Sequence, residues 1–157
     1  MSVVAEWNEA AASDLIAPFA AREGGLLPAL HALQDWLGHV PAEAVTLLAR
    51  AFNLSRAEVH GTISFYHDFR RHPPGRRVLR LCRAEACQSR GGGEIGAALC
   101  ARLGIGWGGT TRDGALTLEP AFCLGLCAVA PAALLDGTPL GRVSADSLQE
   151  AVAEALP

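Results

Sequence analysis

The stretch RRVLRLCRAEACQSRGGGEIGAALCARLG, residues 76–104, changes its hydrophobic period in the middle, and that change sets the fold around it. RRVLRL reads as a β-strand ending at Cys82, and EIGAALCARLG as an α-helix stopped by Gly104. Between them stand two cysteines, Cys82 and Cys87, beside three consecutive glycines, Gly91 to Gly93. Further on, TTRDGALTL carries a hairpin signal at Asp113 and Gly114, and AALLDGTPLGRV a second one at Asp136 and Gly137. SADSLQEAVAEAL then reads as a closing helix with Leu148, Val152 and Leu156 on one face. The order β-α-β-β-α is that of a small α/β domain, α+β when the whole chain is counted.

Upstream, residues 1 to about 69 read as helical. Leu26, Leu30, Leu33 and Leu37 recur at i, i+4, i+7 and i+11, one stripe of a helix, with Gly38 just past its end. Pro41 opens a second helix. Glu43 sits in its first turn, where a negative charge suits the dipole, and Val45, Leu48, Ala49 and Phe52 form its apolar face. Ser55 and Glu58 form a capping box that starts a third helix running toward HGTISFYHDF. RRHPPGRR, residues 70–77, breaks the pattern, so a helical domain is expected over 1–74 and the α/β domain over 75–157.

Half of the 157 residues are hydrophobic, enough to bury a core, and the net charge of −3 argues against a nucleic-acid binder. All 13 basic residues are arginine. MSVVAEWNEAAASDL carries Glu6 and Glu9 and no basic residue ahead of its apolar positions, unlike a secretory signal. The longest uncharged run, residues 120–135, is shorter than the roughly 18 to 20 apolar residues of a membrane helix. The expectation is a cytoplasmic protein without a membrane segment, in which cysteines serve metal binding or catalysis more often than disulfides.

PAFCLGLCAVAP adds a second pair, Cys123 and Cys127, and completes a pattern of C-x4-C, 35 intervening residues and C-x3-C. A thioredoxin-type dithiol uses C-x-x-C, a spacing neither pair has. Structural zinc accepts C-x2-4-C knuckles, and a 2Fe-2S cluster accepts two cysteines per iron with longer spacers, so both stay open on spacing. Glycines at 91–93 and 125 leave room for backbone amides to approach sulfur, and Phe122, Leu124, Leu126, Val129 and Pro131 offer an apolar cover. Environment therefore favours iron–sulfur over zinc, with a zinc-stabilised interaction module and a dithiol reductase as the rival classes.

Taken together, CRAEACQSRGG, GTTRDGALTLEPAFCLGLCAVAPAALLDG and VHGTISFYHDF resemble the small 2Fe-2S subunit of NADH dehydrogenases, over about residues 26–157. The resemblance implies a helical bundle followed by a thioredoxin-like ferredoxin domain, with Cys82 and Cys87 on one iron and Cys123 and Cys127 on the other. CRAEACQS and FCLGLCA look most like the gamma subunit of soluble, molybdenum-containing NAD-dependent formate dehydrogenase, with complex I and NAD-linked hydrogenases as alternatives. A short N-terminal extension and no long C-terminal tail are the expectation for a bacterial soluble complex rather than a mitochondrial one. The implied role is non-catalytic electron transfer beside a flavin/NAD-binding subunit. FMN, NAD, further iron–sulfur clusters and the molybdenum cofactor are expected only in that partner and in the molybdenum-containing formate dehydrogenase subunit.

The remaining candidates have plainer readings. Cys100 reads as a buried inert thiol. His60 and His67 read as solvated or interfacial positions on one helix, too far apart in sequence for a shared metal. Phe65, Tyr66 and Phe69 read first as core and second as a docking surface. Six arginines between Arg70 and Arg83 read either as a solvated linker or as a charged face near the cysteines. Glu119, close to the second pair, is expected to lower the potential of a bound cluster by its negative charge.

Overall fold

The computed structural model describes residues 5–155, which form two compact units, one ending at Pro73 and the other beginning at Pro74. The first is all helical: α1 (Glu9–Ala20), α2 (Leu26–Leu37), α3 (Ala42–Ala51) and α4 (Arg56–Phe65). Asn8 caps α1 by accepting the amide of Ala11 at 3.0 Å. The leucine stripe of α2 does what its spacing predicts. Leu30, Leu33 and Leu37 are buried, Leu26 packs at the rim, and Gly38 ends the helix in the left-handed conformation (φ 74°) that a side chain disfavours. In α3 the buried face is Ala44, Leu48 and Ala49, while Val45 is half-buried and Phe52 falls one residue past the helix end.

At α4 the capping box is complete: Ser55 Oγ accepts the Glu58 amide at 3.2 Å and Glu58 Oε2 accepts the Ser55 amide at 2.7 Å. The helix ends at Phe65, earlier than the sequence indicates, and Tyr66 is extended. Val59 and Ile63, four apart, carry the buried face. Phe65 and Tyr66 lie off it and are 73% and 43% exposed, so the core reading fails for both and holds only for Phe69, at 6%. His67 lies outside the helix that holds His60, which removes the shared-helix reading of that pair. The segment after α4 is clasped by Gln34, whose Nε2 donates to the Asp68 carbonyl at 2.8 Å and whose Oε1 accepts the Arg70 amide at 2.6 Å.

The second unit holds β1 (Arg77–Cys82), α5 (Glu85–Gln88), α6 (Gly92–Leu103), β2 (Leu116–Ala121), β3 (Ala132–Leu135), β4 (Thr138–Gly141) and α7 (Ala145–Ala155). The sheet order is β2-β1-β3-β4, with β1 and β2 parallel and the other pairings antiparallel. Side chains alternate across each strand. Leu79, Leu81, Leu116 and Leu118 therefore share a core with Ala133, Leu99 of α6, and Leu148 and Val152 of α7. Leu156, expected on the same face, lies outside the described residues. Each such leucine contributes about 1.5–3 kcal/mol by leaving water.

The two hairpin signals resolve differently. Asp136 and Gly137, both at positive φ (49° and 85°), make the two-residue turn between β3 and β4. The Asp113–Gly114 turn forms, with the Gly114 amide on the Thr111 carbonyl at 2.8 Å, but its first flank is a single bridge, Thr110 to Thr117. β2 pairs instead with β1, and the loop's Gly108, Gly109 and Thr111 bond along its outer edge. The opposite edge is β4, four residues long, with Pro139 in its middle.

Leu33→Ala is expected to destabilise the helical unit by about 2–5 kcal/mol, read by denaturant titration of the helical signal. Glu58 gives a pH dependence whose sign is set by Ser55, whose backbone amide and then hydroxyl hold the Glu58 carboxyl below its usual range. A depressed carboxylate stabilises above its unfolded value and loses that contribution as pH falls through the folded one. Glu58→Gln should lower stability at neutral pH and remove this part of the acid sensitivity.

Candidate metal centre

The parallel pairing of β1 and β2 runs in register to its last rung, Cys82 opposite Ala121. Parallel strands end on the same side of a sheet. The chain leaving β1 at Cys82 and the chain leaving β2 toward Cys123 thus emerge side by side. Cys87 sits in α5, whose single turn, unanticipated from sequence, brings it back beneath Cys82. Cys123 adopts φ 106°, rare for a residue with a side chain, and Cys127 opens a 3-10 turn that ends at Val129.

All four predicted thiols meet there. Cys82 and Cys87 lie in one small buried cluster against which Leu124 and Leu126, between Cys123 and Cys127, pack, and the thiols are near enough for charge to act between them, Cys82 on Cys87 and Cys127, and Cys123 on Cys127. Burial raises the Cys82 thiol, but the amides of Ala84, Leu124 and Cys123 and the Cys87 thiol together carry it below the ordinary value. Cys87 moves up, chiefly through burial and then through the neighbouring Cys82. Cys127 moves up as well, mainly through the neighbouring Cys123 charge. The Gly125 amide reaches Cys123 Sγ at 3.4 Å, and the Ala132 amide serves Cys87. The amides thus favour the thiolate at Cys82, whereas burial at Cys87 and the neighbouring sulfur charge at Cys127 favour the protonated thiol.

The amides come from different residues than the glycines suggested. Of those glycines, Gly125 donates to sulfur, whereas Gly92 is needed for close packing. A Cβ on Gly92 would lie 2.7 Å from the Cys87 carbonyl oxygen and 3.5 Å from that of Cys82. The donors Ala84, Leu124 and Ala132 carry no sequence signal, because any residue has an amide to give. The apolar cover is also narrower than expected. Leu124 and Leu126 pack with Ala84 and Ala130 around Cys82, Cys87 and Ala132, but Phe122 is 75% exposed and Val129 packs on Gly141.

The surrounding charges are committed to the fold. Arg77 pairs with Asp136 at 2.9 Å and caps the Ala155 carbonyl at the end of α7; Arg76 donates to the Asp113 carbonyl. Arg83 lies 4.7 Å over the Trp107 ring, whose edge fills the space above Gly96. Arg80 binds Glu119 at 2.8 Å across the strand pair, so the Glu119 charge is balanced rather than left facing the thiols. Arg77, Arg80 and Arg83 are half-buried and bound within the fold rather than part of a solvated linker, while Arg76 is exposed. Cys100 is half-buried against the α6–α7 core, away from the other thiols.

Among the described residues, no three His, Cys, Asp or Glu side chains converge as ligands of a single ion. Four soft sulfurs in two adjacent pairs fit a two-iron group, which takes two thiolates per iron. Fold and site together define a small iron–sulfur protein on a thioredoxin-like α/β scaffold. The family model of the thioredoxin-like 2Fe-2S ferredoxins matches residues 12–156, and the chain belongs to that family, whose prosthetic group is a 2Fe-2S cluster. It is 34% identical over 122 residues to the E subunit of the NADH-quinone oxidoreductase of Pseudomonas aeruginosa, covering 78% of this chain and 74% of that one. It is 30% identical over 133 residues to the HndA subunit of the NADP-reducing hydrogenase of Solidesulfovibrio fructosivorans, covering 85% and 78%. Among solved structures, an NAD+-reducing NiFe hydrogenase in the air-oxidised state superposes with a TM-score of 0.68 at 35% identity. That match covers 85% of this chain and 23% of the hydrogenase chain.

Gly92→Ala is expected to displace the Cys87 backbone and lower iron and sulfide content. Gly93→Ala should be tolerated, since its Cβ meets only the end of the Gln88 side chain, at 2.8 Å. Visible absorbance per polypeptide checks the contrast.

Proposed function

We propose that this chain is the electron-transfer subunit of an NAD-linked oxidoreductase complex, holding one 2Fe-2S cluster through Cys82 and Cys87 on one iron and Cys123 and Cys127 on the other. The observation that carries the reading is the meeting of two thiol pairs at the shared end of parallel strands, in a chain of a 2Fe-2S family. The cluster supplies one-electron transfer, which suits a flavin that exchanges a hydride with NAD and single electrons with iron–sulfur centres. The protein residues hold and insulate it: amides of Ala84, Leu124, Cys123, Gly125 and Ala132 offset negative charge, and Leu124 and Leu126 limit water. The helical unit serves as the docking module for the flavin/NAD-binding subunit. Phe65 and Tyr66, stacked edge to face at 5.1 Å and exposed, are side chains suited to that contact.

We assign the complex to formate oxidation with NAD reduction, on the likeness of CRAEACQS and FCLGLCA to the formate dehydrogenase gamma subunit. The molybdenum site, FMN and further clusters then belong to its other subunits, and the complex works in the cytoplasm; no helix among the described residues is long and apolar enough to cross a membrane. The second reading, a quinone-linked NADH dehydrogenase or a hydrogenase, is favoured by the names of the relatives.

The chain purified without oxygen and reduced with dithionite should give one S = 1/2 EPR signal, with iron and sulfide each near about two per chain. Cys82→Ser or Cys123→Ser should reduce or alter that signal, and Cys100→Ser should leave it intact. One zinc and no sulfide would overturn the electron-transfer reading. The complex isolated through this chain should reduce NAD with formate; activity with hydrogen or a quinone instead would move it to its relatives' reactions.

A further inference from the structure

The two thiol pairs differ sharply in access. Cys82 and Cys87 are each 2% exposed, one on the last residue of a central strand and the other in the turn of α5, walled by Ala132, Ala84, Leu124 and Leu126. Cys123 and Cys127 are exposed, in the connection between β2 and β3, and the residues Phe122, Gly125 and Ala128 around them are exposed too. The inner pair is fixed by sheet and core. The outer pair opens to solvent along a segment with no strand pairing of its own.

We propose that the Cys123–Cys127 pair is the face through which the chain takes up and releases its cluster, exchanging thiolates with an external thiol-ligated 2Fe-2S complex before the inner pair does. The proposal rests on the four-cysteine ligand set given above. Reagents reach a thiol only where solvent does, and a thiolate is the attacking form. In uptake, an iron–sulfur bond to the donor thiolate breaks and one to Cys123 or Cys127 Sγ forms. The incoming thiol's proton passes to the departing thiolate, and no electron changes hands. Cys82 and Cys87, which no donor ligand of ordinary size reaches from the surface, close the inner iron afterwards; release runs in the opposite order. Phe122, 75% exposed beside Cys123, lies where a donor would approach.

The test uses the full chain purified with its cluster. It is incubated with EDTA and N-ethylmaleimide, and labelling of each cysteine is followed by peptide-resolved mass spectrometry alongside circular dichroism. Cys123 and Cys127 should be labelled several times faster than Cys82 and Cys87 while the helical signal is still intact. Cys100, outside the site, should be labelled at the same rate with and without EDTA. Simultaneous labelling of the four site cysteines, or earlier labelling of Cys82 and Cys87, overturns the proposal. Iron and sulfide measured at the outset separate the two failures. Their absence refutes the cluster assignment and this proposal with it, whereas their presence with unordered labelling refutes this proposal alone.

Discussion

The six-rung parallel pairing of β1 with β2 is the constraint on which the centre depends. Cys87 and Cys123 are separated by 35 residues, and no local preference brings them together. The crossover through α5 and α6 returns the chain so that both strands end on one side, and the core beneath makes the register costly to change. A one-residue slip would send Leu79, Leu81, Leu116 and Leu118 to the wrong face. Apolar burial in the lower sheet thereby fixes sulfur positions at its upper end, and the Arg80–Glu119 pair spans the same two strands on the opposite face.

That dependence explains the different characters of the two halves of the site. The first pair inherits rigidity from β1 and from Gly92, whose missing side chain lets α6 start close against Cys87. The second pair lies on irregular backbone, where Cys123 takes a conformation few side-chain-bearing residues adopt and Gly125 turns an amide back to its sulfur. One half of the centre is thus built by the core and the other by a loop laid across it. An active site made only of loops would lack the first, and one buried in the sheet would lack access.

What could be read from sequence follows the range of the forces involved. The α2 stripe, the Ser55–Glu58 box, the strand into Cys82 and the Asp136–Gly137 turn are local devices, and each appears where its residues lie. The gathering of the cysteines was legible from their number, from the placing of each pair at a strand end or in a loop, and from a family resemblance. Misreadings arose where tertiary contacts decide. Phe65, Tyr66 and Phe122 carry no mark of orientation, and the flank before Asp113 was outcompeted for β2 by β1. The arginines between 76 and 83 resembled a free charged run because their partners, Asp113, Glu119, Asp136, Ala155 and Trp107, are remote in sequence.

The sheet also has two closed margins. On one side Gly108, Gly109 and Thr111 take up the outward groups of β2; on the other, β4 is short and Pro139 offers no amide. An unpaired strand edge is a template on which other chains add strands and precipitate. With both margins blunted, the four-strand sheet offers a second copy little edge to extend.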